Sequence, residues 1–162
     1  MKIKERMIKT VLSCRPTDNL AEVTALLWDG RCGVLPVVDD EDRVISMITD
    51  RDICIALGTR NLRASEVQVK DVAPSRVFTC DRNDDISSAL RTMVSQNVRR
   101  LPVVNDEGKL VGMLSIDDFL LDAKPGSAGV LSLETLEALK TIVENRKRDH
   151  PQETIKALTT HG

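Results

Sequence analysis

The 162-residue chain carries 23 lysines and arginines against 25 aspartates and glutamates, which gives a formal net charge of −2 and a pI of about 5.7. This balance, together with an aromatic content of 2%, argues against nucleic-acid binding, which relies on basic patches or stacked aromatic rings. No stretch approaches the roughly 18 apolar residues of a membrane span, and the N-terminus lacks the apolar segment of a signal peptide, so we expect a cytoplasmic protein without nucleic-acid or membrane partners.

The chain repeats its own pattern after 66 residues. The Leu-Pro-Val-Val of residues 35–38 returns at residues 101–104, and the frame then holds without a gap. The matched pairs that follow are Met47 and Met113, Thr49 and Ser115, and Asp52 and Asp118. Two copies are too few for a solenoid, so the period predicts a duplicated unit whose halves bury their apolar faces on each other.

The first copy is predicted to fold as strand, helix, strand, strand, helix. Residues 11–14 form a short apolar strand, and Asn19 or its neighbours cap a helix that begins at Leu20 and ends near Gly30. Residues 35–38 and 43–48 form a hairpin around an acidic turn. Thr49 then opens a second helix that runs to about residue 57.

The second copy repeats the same five elements. Residues 77–80 form the first strand, Asp84 and Asp85 cap a helix, and residues 101–104 and 109–114 form the hairpin. Ser115 opens the closing helix, which runs to about residue 122. Between the copies, residues 58–69 are polar and are interpreted as a linker and a lead-in to the second copy.

A further helix lies beyond the repeat. Ser132 can cap it, it runs to about residue 148, and one face carries apolar side chains, which are Leu133, Leu136, Leu139, Ile142 and Val143. Two interpretations stay open: the helix covers an edge of the same core, or it forms a dimer or partner surface. The basic cluster of residues 146–148 suits a solvated helix end.

These elements predict an α+β protein of two tandem βαββα repeats. The repeats occupy residues 1–64 and 65–123, and residues 124–162 form a C-terminal extension with one amphipathic helix. The four cysteines, which are Cys14, Cys32, Cys54 and Cys80, show no metal-ligand spacing. We interpret them as small buried residues, although the equivalence of Cys14 and Cys80 leaves a regulatory disulfide open.

Each copy resembles the CBS domain. The resemblance is carried by residues 33–39 (Gly-Val-Leu-Pro-Val-Val-Asp) with residues 44–53, and by residues 99–105 (Arg-Arg-Leu-Pro-Val-Val-Asn) with residues 110–119. The chain is therefore similar to stand-alone proteins with two CBS domains, also called Bateman modules. The resemblance implies pseudo-twofold packing of the copies, a homodimer, often a flat one, and clefts between the copies that bind adenosine compounds.

The family pattern for such a cleft is a small hydroxyl residue, two variable positions and an aspartate. It is present twice, as Thr49 with Asp52 and as Ser115 with Asp118. A carboxylate can accept both hydroxyls of a ribose, and the start of a helix offers free N–H groups to an anion. The alternative is that both pairs are capping boxes that only stabilise the helix starts.

The resemblance also implies that each site combines residues of both copies. Site A consists of Ser115, Asp118, Arg99, Arg100, Leu12, Cys32 and Gly33. Site B consists of Thr49, Asp52, Phe78, Val98 and Arg99. Because arginines before the Leu-Pro often meet phosphates in this family, site A is predicted to prefer phosphorylated ligands. The alternative for the two arginines is an exposed pair or a salt bridge to the acidic turns.

Site B is predicted to be weaker, empty or suited to a less charged adenosine compound. Its copy has uncharged Gly33 and Val34 where the other has the two arginines, and Ser46 where the other has Gly112. A side chain at Ser46 could narrow the first cleft.

The expected function is a non-catalytic sensor that binds AMP, ADP or ATP, with S-adenosylmethionine or NAD as further candidates and no required cofactor. It would act through a homodimer or an unidentified effector protein. Two other classes stay open. One is a structural or partner-binding module with silent sites, and the other is an enzyme, which the repeat disfavours because it contains no histidine to serve as a base.

Overall fold

The computed structural model describes residues 1–121 and 130–149. Its helices and strands, in chain order, are α1 (Leu20–Asp29), β1 (Val34–Val38), β2 (Val44–Thr49), α2 (Asp50–Arg60), β3 (Cys80–Asp81), α3 (Ile86–Ser95), β4 (Arg100–Val104), β5 (Leu110–Ser115), α4 (Ile116–Leu121) and α5 (Val130–Asp149). Short 3-10 turns lie at Ile3–Glu5, Ala64–Glu66 and Val69–Asp71. The predicted α+β class, the paired repeats and the C-terminal helix are confirmed.

The two hairpins have the same register and the same irregularity. Pro36 pairs with Met47 in the first antiparallel hairpin and Pro102 pairs with Met113 in the second. Each hairpin shifts register at the last valine of its first strand. The sequence repeat is therefore a repeat of backbone geometry.

The hairpins meet at a pseudo-twofold axis. Arg43 and Lys109, which are equivalent positions, form an antiparallel bridge with each other. Around them, the N–H of Val44 donates to the carbonyl of Gly108 at 3.1 Å, and the N–H of Leu110 donates to the carbonyl of Asp42 at 3.0 Å. Exchanging the copies maps these two bonds onto each other, as the predicted symmetry requires.

The first strand of each copy is shorter than predicted, and in the first copy it is reduced to one bridge. Cys14 bridges Val37 in parallel, whereas β3 pairs with β4 over two residues. The next rung of the second ladder is the N–H of Arg82 donating to the carbonyl of Val104. Its counterpart in the first copy is Pro16, which has no N–H to donate, so the first ladder stops.

Two helix boundaries differ from their predictions. α2 passes through Gly58 to Arg60 and ends at Asn61, whose left-handed conformation closes the helix. α5 begins at Val130, so Ser132 lies inside the helix and not at its cap. Residues 58–60 are exposed, so the added turn of α2 owes its end to the Asn61 cap and not to packing of an apolar face. The predicted end of α4 at residue 122 lies outside the described residues.

Each repeat is preceded by a lead-in segment, which is the chain around Ile3 for the first repeat and around Val69 for the second. The two lead-in segments are exchanged between the repeats. Ile3 is fully buried in the core of the second repeat, and Val69, its equivalent in the repeat, is fully buried in the core of the first. The segment at residues 58–69, interpreted from sequence as a linker and lead-in, therefore supplies the core residues Val67 and Val69. The N–H of Leu20 donates to the carbonyl of Val67 within it. Each repeat is completed by the lead-in of the other.

The exchange explains why Gly112 and Ser46 differ. At Gly112 a Cβ would lie 2.9 Å from the carbonyl oxygen of Ile8, which pairs with Met113. In the first repeat Pro74 stands in the place of Ile8 and cannot donate to the neighbouring strand. The hydroxyl of Ser46 donates to the carbonyl of Pro74 instead. Ser46 therefore fastens the lead-in segment.

α5 packs on the second repeat. Ala138 and Ile142 belong to that core, and Ser87 of α3 donates a 3.1 Å hydrogen bond to Glu134. The predicted apolar face is divided, because Ile142 is buried while Leu133 and Leu136 are exposed. Among the described residues, no helix is long and apolar enough to cross a membrane.

Candidate functional site

A cavity of about 450 Å³ lies between the two repeats. The first repeat contributes the segment before β1 and the lead to Cys14, and the second contributes the end of β5 and the start of α4. The residues predicted for site A that line it are Leu12, Cys32, Gly33, Arg100, Ser115 and Asp118. The structure thus brings these side chains from both copies to one cavity, while their part in ligand binding stays a prediction.

Three polar or charged lining residues were not identified from the sequence. Thr10 and Arg31 come from the first repeat, and Asp117 comes from the second. Arg31 follows the end of α1 with a φ of 48°, a left-handed conformation that turns the chain back toward β1. The sequence did not point to Arg31 as the turn residue, because the nearby Gly30 and Gly33 both suggested that a glycine would make this turn.

Ser115 and Asp118 form the cap of α4. The backbone N–H of Ser115 donates to Oδ2 of Asp118 at 2.9 Å. The Ser115 hydroxyl donates to Asp117 at 3.3 Å and accepts from the N–H of the same residue. The capping alternative therefore describes the observed contacts, and it leaves Oδ1 of Asp118 without a hydrogen bond among the described residues.

Asp117 pairs with both arginines of the predicted phosphate position. Arg99 donates to its Oδ1 at 2.8 Å, and Arg100 lies 3.5 Å from its Oδ2. The predicted alternative of a salt bridge is therefore observed, but with Asp117 and not with the acidic turns. Burial raises the pKa of Asp117, but the hydrogen bond and charge of Arg99 and the charge of Arg100 outweigh it, so the pKa is lowered. Asp117 is consequently an anion at neutral pH.

Arg99, predicted for site A, is not among the residues that line the cavity, but it contacts the lining residue Asp117. Its guanidinium contacts Asp117, and its Nε is buried without a hydrogen-bond partner in the described part of the chain. Arg31, Arg99 and Arg100 carry three positive formal charges against the two negative ones of Asp117 and Asp118, so the charged groups at the cavity are net positive. The cluster can therefore attract an anion.

The residues predicted for site B form two separate groups of contacts. Thr49 donates its N–H and its hydroxyl to Oδ2 of Asp52 at 2.9 and 2.6 Å, which caps α2. Phe78 and Val98 both pack against the core of the second repeat, and the guanidinium of Arg76 lies 4.6 Å from the centre of the Phe78 ring. Within residues 1–121, no hydrogen bond or ion pair links the two groups, so this grouping stays a prediction.

The sites differ in charge at equivalent positions. Arg99 and Arg100 correspond to Gly33 and Val34, and Asp117 corresponds to Arg51. At Gly33 a Cβ would lie 3.1 Å from the carboxylate of Asp50, an exposed side chain that a small shift would move out of contact. In the part of the chain that the structure describes, no group of three or more histidine, cysteine or acidic side chains could hold a metal ion.

Known proteins share this architecture. The family model for the CBS domain matches residues 3–59 and 69–122. An uncharacterized protein of Methanopyrus kandleri is 30% identical over 112 residues, which are 69% of this chain and 57% of the relative. Inosine-5'-monophosphate dehydrogenase of Methanocaldococcus jannaschii is 33% identical over 120 residues, which are 74% of this chain and 23% of the dehydrogenase. The chain thus spans about half of the first relative and about a quarter of the second.

Solved structures extend the comparison. Hypoxic Response Protein I, solved with two coordinated zinc ions, has a TM-score of 0.70 at 26% identity and covers 76% of this chain and 100% of its own. The CBS domain pair of protein MJ0100, in complex with 5'-methylthioadenosine and S-adenosyl-L-methionine, has a TM-score of 0.67 at 21% identity over 75% of this chain and 94% of its own. CBSX2 in complex with AMP has a TM-score of 0.62 at 23% identity over 72% and 91%. The chain belongs to the CBS domain family and contains two copies of the domain.

Proposed function

We propose that the protein is a non-catalytic regulatory module that binds an adenosine compound in the cavity between its repeats. The observation that carries the proposal is the meeting of Ser115 and Asp118 with Leu12, Cys32 and Gly33 around one cavity. Its volume of about 450 Å³ lies in the range of small-molecule sites. The complexes of the similar MJ0100 and CBSX2 structures with adenosine compounds support this ligand class.

Asp118 is the proposed ribose acceptor. Its Oδ2 caps Ser115, and its Oδ1 makes no hydrogen bond among the described residues. A ribose hydroxyl can therefore donate to Oδ1 without breaking the cap, and the bond is charge-assisted. Apolar surface for the adenine ring comes from Leu12 and from the neighbouring Val11.

Arg100 is the proposed phosphate contact, with Arg99 behind it. Both must first release or share Asp117, because both guanidiniums are paired with it. The side chains of these ion pairs are 36–43% exposed to solvent. Ion pairs with this exposure are weak. A phosphate, with more oxygens and more charge than a carboxylate, can compete for the arginines.

Site B is proposed to be weaker or to accept a less charged adenosine compound. Thr49 donates its hydroxyl to Asp52, so a ligand must replace that bond. The matching positions Gly33 and Val34 offer no cation.

A ligand would act by favouring one arrangement of the repeats or of a dimer. The exchanged lead-ins provide a physical link, since Ile3 lies in the core of the second repeat while its chain continues along the cavity through Thr10 and Leu12. The altered arrangement of the repeats would then act through a homodimer or through an effector protein in the cytoplasm.

A thermal-shift panel of AMP, ADP, ATP, S-adenosylmethionine, NAD and adenosine tests the proposal. A ligand that binds only the folded chain raises the melting temperature with its concentration. We expect at least one adenosine compound to do so, while guanosine monophosphate serves as the matched control. A flat response to all of them at millimolar concentration would favour a structural module with silent sites.

A further inference from the structure

α5 is held on the second repeat by a narrow strip of its surface. Between residues 133 and 145, the buried residues are Thr135, Ala138 and Ile142, which lie three and four residues apart on one face of the helix. Ile142 has the largest side chain of the three, and it is fully buried in the core of the second repeat. A cavity of about 390 Å³ remains between α3 and α5. The docking of α5 therefore depends mainly on Ile142.

The core around Ile142 reaches the ligand cavity through Ile116. Ile116 is fully buried in the same core, and α4, which begins at Ile116, packs on α5. Its chain neighbours Ser115 and Asp117 both line the cavity. The backbone N–H of Ile116 donates to the carbonyl of Arg99 at 2.9 Å, and the Arg99 guanidinium pairs with Asp117. One buried residue thus joins the core beneath α5 to the residues at the cavity.

The first repeat has the same backbone contact without the buried side chain. Asp50 is the equivalent of Ile116, and its N–H donates to the carbonyl of Gly33, the equivalent of Arg99, at 3.1 Å. Asp50 is exposed. The backbone contact is therefore common to both repeats, whereas the buried isoleucine occurs in the repeat that carries α5. Ile116 is thus part of the contact with α5 and not a general feature of the repeat.

We infer that α5 regulates the cavity between the repeats by docking on the second repeat and undocking from it, an inference that rests on the proposed function. A helix held by few buried side chains belongs to the part of a fold that opens locally. The docked arrangement is the one in which Ile116 is held in the core and the cavity residues of both repeats meet. A ligand that binds this arrangement better shifts α5 toward docking, and loss of docking lowers the affinity for the ligand by the same factor.

Undocking changes the surface of the second repeat. Leu90 and Val94 of α3 line the space beneath α5, so they become accessible when α5 leaves. The ligand state of the cavity is thereby expressed at a surface on the other side of Ile116.

Hydrogen exchange of the full chain, measured by mass spectrometry with AMP as the probe, tests the inference. Without ligand, the backbone amides of α5 should exchange faster than those of α3, because α5 opens while the repeat stays folded. Saturating AMP should slow the exchange of α5 by at least about fivefold, while guanosine monophosphate should leave it unchanged. S-adenosylmethionine replaces AMP as the probe where AMP gives no thermal shift.

Two substitutions in α5 form a matched pair. Ile142→Ala and Leu136→Ala each shorten an apolar side chain of this helix, but Leu136 is 57% exposed. Ile142→Ala should speed the exchange of α5 and weaken the binding of the probe by about fivefold or more, and Leu136→Ala should do neither. Ser87→Ala, which removes the 3.1 Å hydrogen bond to Glu134, is a milder variant that should act in the same direction as Ile142→Ala.

A third substitution separates loss of docking from loss of stability. Leu20→Ala removes a fully buried side chain from the core of the first repeat, away from the cavity lining. It should leave the affinity for the probe within about twofold, as expected for an independent site. Circular dichroism confirms that each variant is folded.

Failure of the inference differs from failure of the proposed function. If the wild type binds the probe but the exchange of α5 does not slow, the inference is overturned and the proposed function stands. The same holds if α5 exchanges no faster than α3, or if Ile142→Ala and Leu136→Ala bind the probe equally well. If no adenosine compound shifts the melting temperature of the wild type, the proposed function fails and the inference fails with it.

Discussion

Arg99 donates a 2.8 Å hydrogen bond to Asp117, and Arg100 approaches the other oxygen of the same carboxylate at 3.5 Å. A chain-borne anion therefore occupies the guanidiniums that a ligand phosphate would use. Asp117 should therefore lower the affinity of the two arginines for phosphate. It should not abolish that affinity, because the cluster keeps a net positive charge. On the proposed function, Asp117 is therefore predicted to tune the choice between phosphorylated and uncharged adenosine compounds.

Replacing Asp117 with asparagine should strengthen the binding of AMP by about threefold to fivefold, the range expected for removing a half-exposed competing pair. Adenosine has no phosphate, so its affinity should not change. Calorimetric titration of both ligands measures the difference. Equal gains for AMP and adenosine would contradict the competition between Asp117 and phosphate.

Replacing Arg100 with glutamine should have the opposite effect. AMP binding should weaken by about tenfold or more, since a charge-assisted contact is lost, while adenosine should bind as before. The matched control is Arg63→Gln, at an exposed arginine that does not line the cavity. A similar loss for both ligands would show that Arg100 shapes the cavity and does not contact phosphate.

The exchanged lead-ins predict unequal effects at two equivalent positions. Gly112→Ala should lower the free energy of unfolding by about 1–3 kcal/mol, because its Cβ would overlap the backbone of Ile8. Ser46→Ala should lower it by only about 1 kcal/mol, the value of its bond to Pro74. Urea unfolding measures both. A harmless Gly112→Ala would contradict the close approach of the lead-in segment.

The equivalent cysteines should be chemically inert in the native state. Burial, followed by the charge of Asp18, raises the pKa of Cys14 to about 12, and burial, followed by Asp84 and Asp81, raises that of Cys80 to about 12. The thiolate is the reactive form, so both thiols stay protonated and unreactive until the pH approaches that value. Iodoacetamide at pH 8 should label exposed Cys54 quickly and these two only after unfolding. Rapid labelling of Cys14 or Cys80 would contradict their burial.

The parts of the fold that could be predicted are those encoded within each copy. The apolar run of residues 35–38 and the cap at Asn19 predicted the hairpin and α1, because both signals are local. The exchange of Ile3 and Val69 could not be predicted, because a 66-residue period looks the same whether a lead-in packs on its own copy or on the other. The shortening of the first ladder could have been predicted from the sequence, because Pro16 occupies the position equivalent to Arg82 and has no N–H to donate.

The candidate site was predicted in its family pattern but not in its charge. Ser115, Asp118 and Arg100 follow the motif, and the structure places them at one cavity with Leu12 and Cys32. Asp117 falls at a variable position of that motif. Only its distance to the two arginines reveals the pair, and this distance depends on the pairing of Arg100 with Ser115 and on the turn from β5 into α4. The division of the α5 face was likewise not predicted, because one apolar face was expected where Ile142 is buried and Leu133 and Leu136 are exposed.

Calorimetric titration of AMP into matched variants tests the central claim most directly. Asp118→Ala and Asp52→Ala each remove a capping carboxylate from a helix start, so their stabilities should fall by similar amounts. We expect AMP affinity to fall by at least about tenfold in Asp118→Ala, through loss of a charge-assisted ribose contact, and to be nearly unchanged in Asp52→Ala. Loss of AMP binding in Asp52→Ala alone would contradict the assignment of the ligand to the cavity between Asp118 and Leu12.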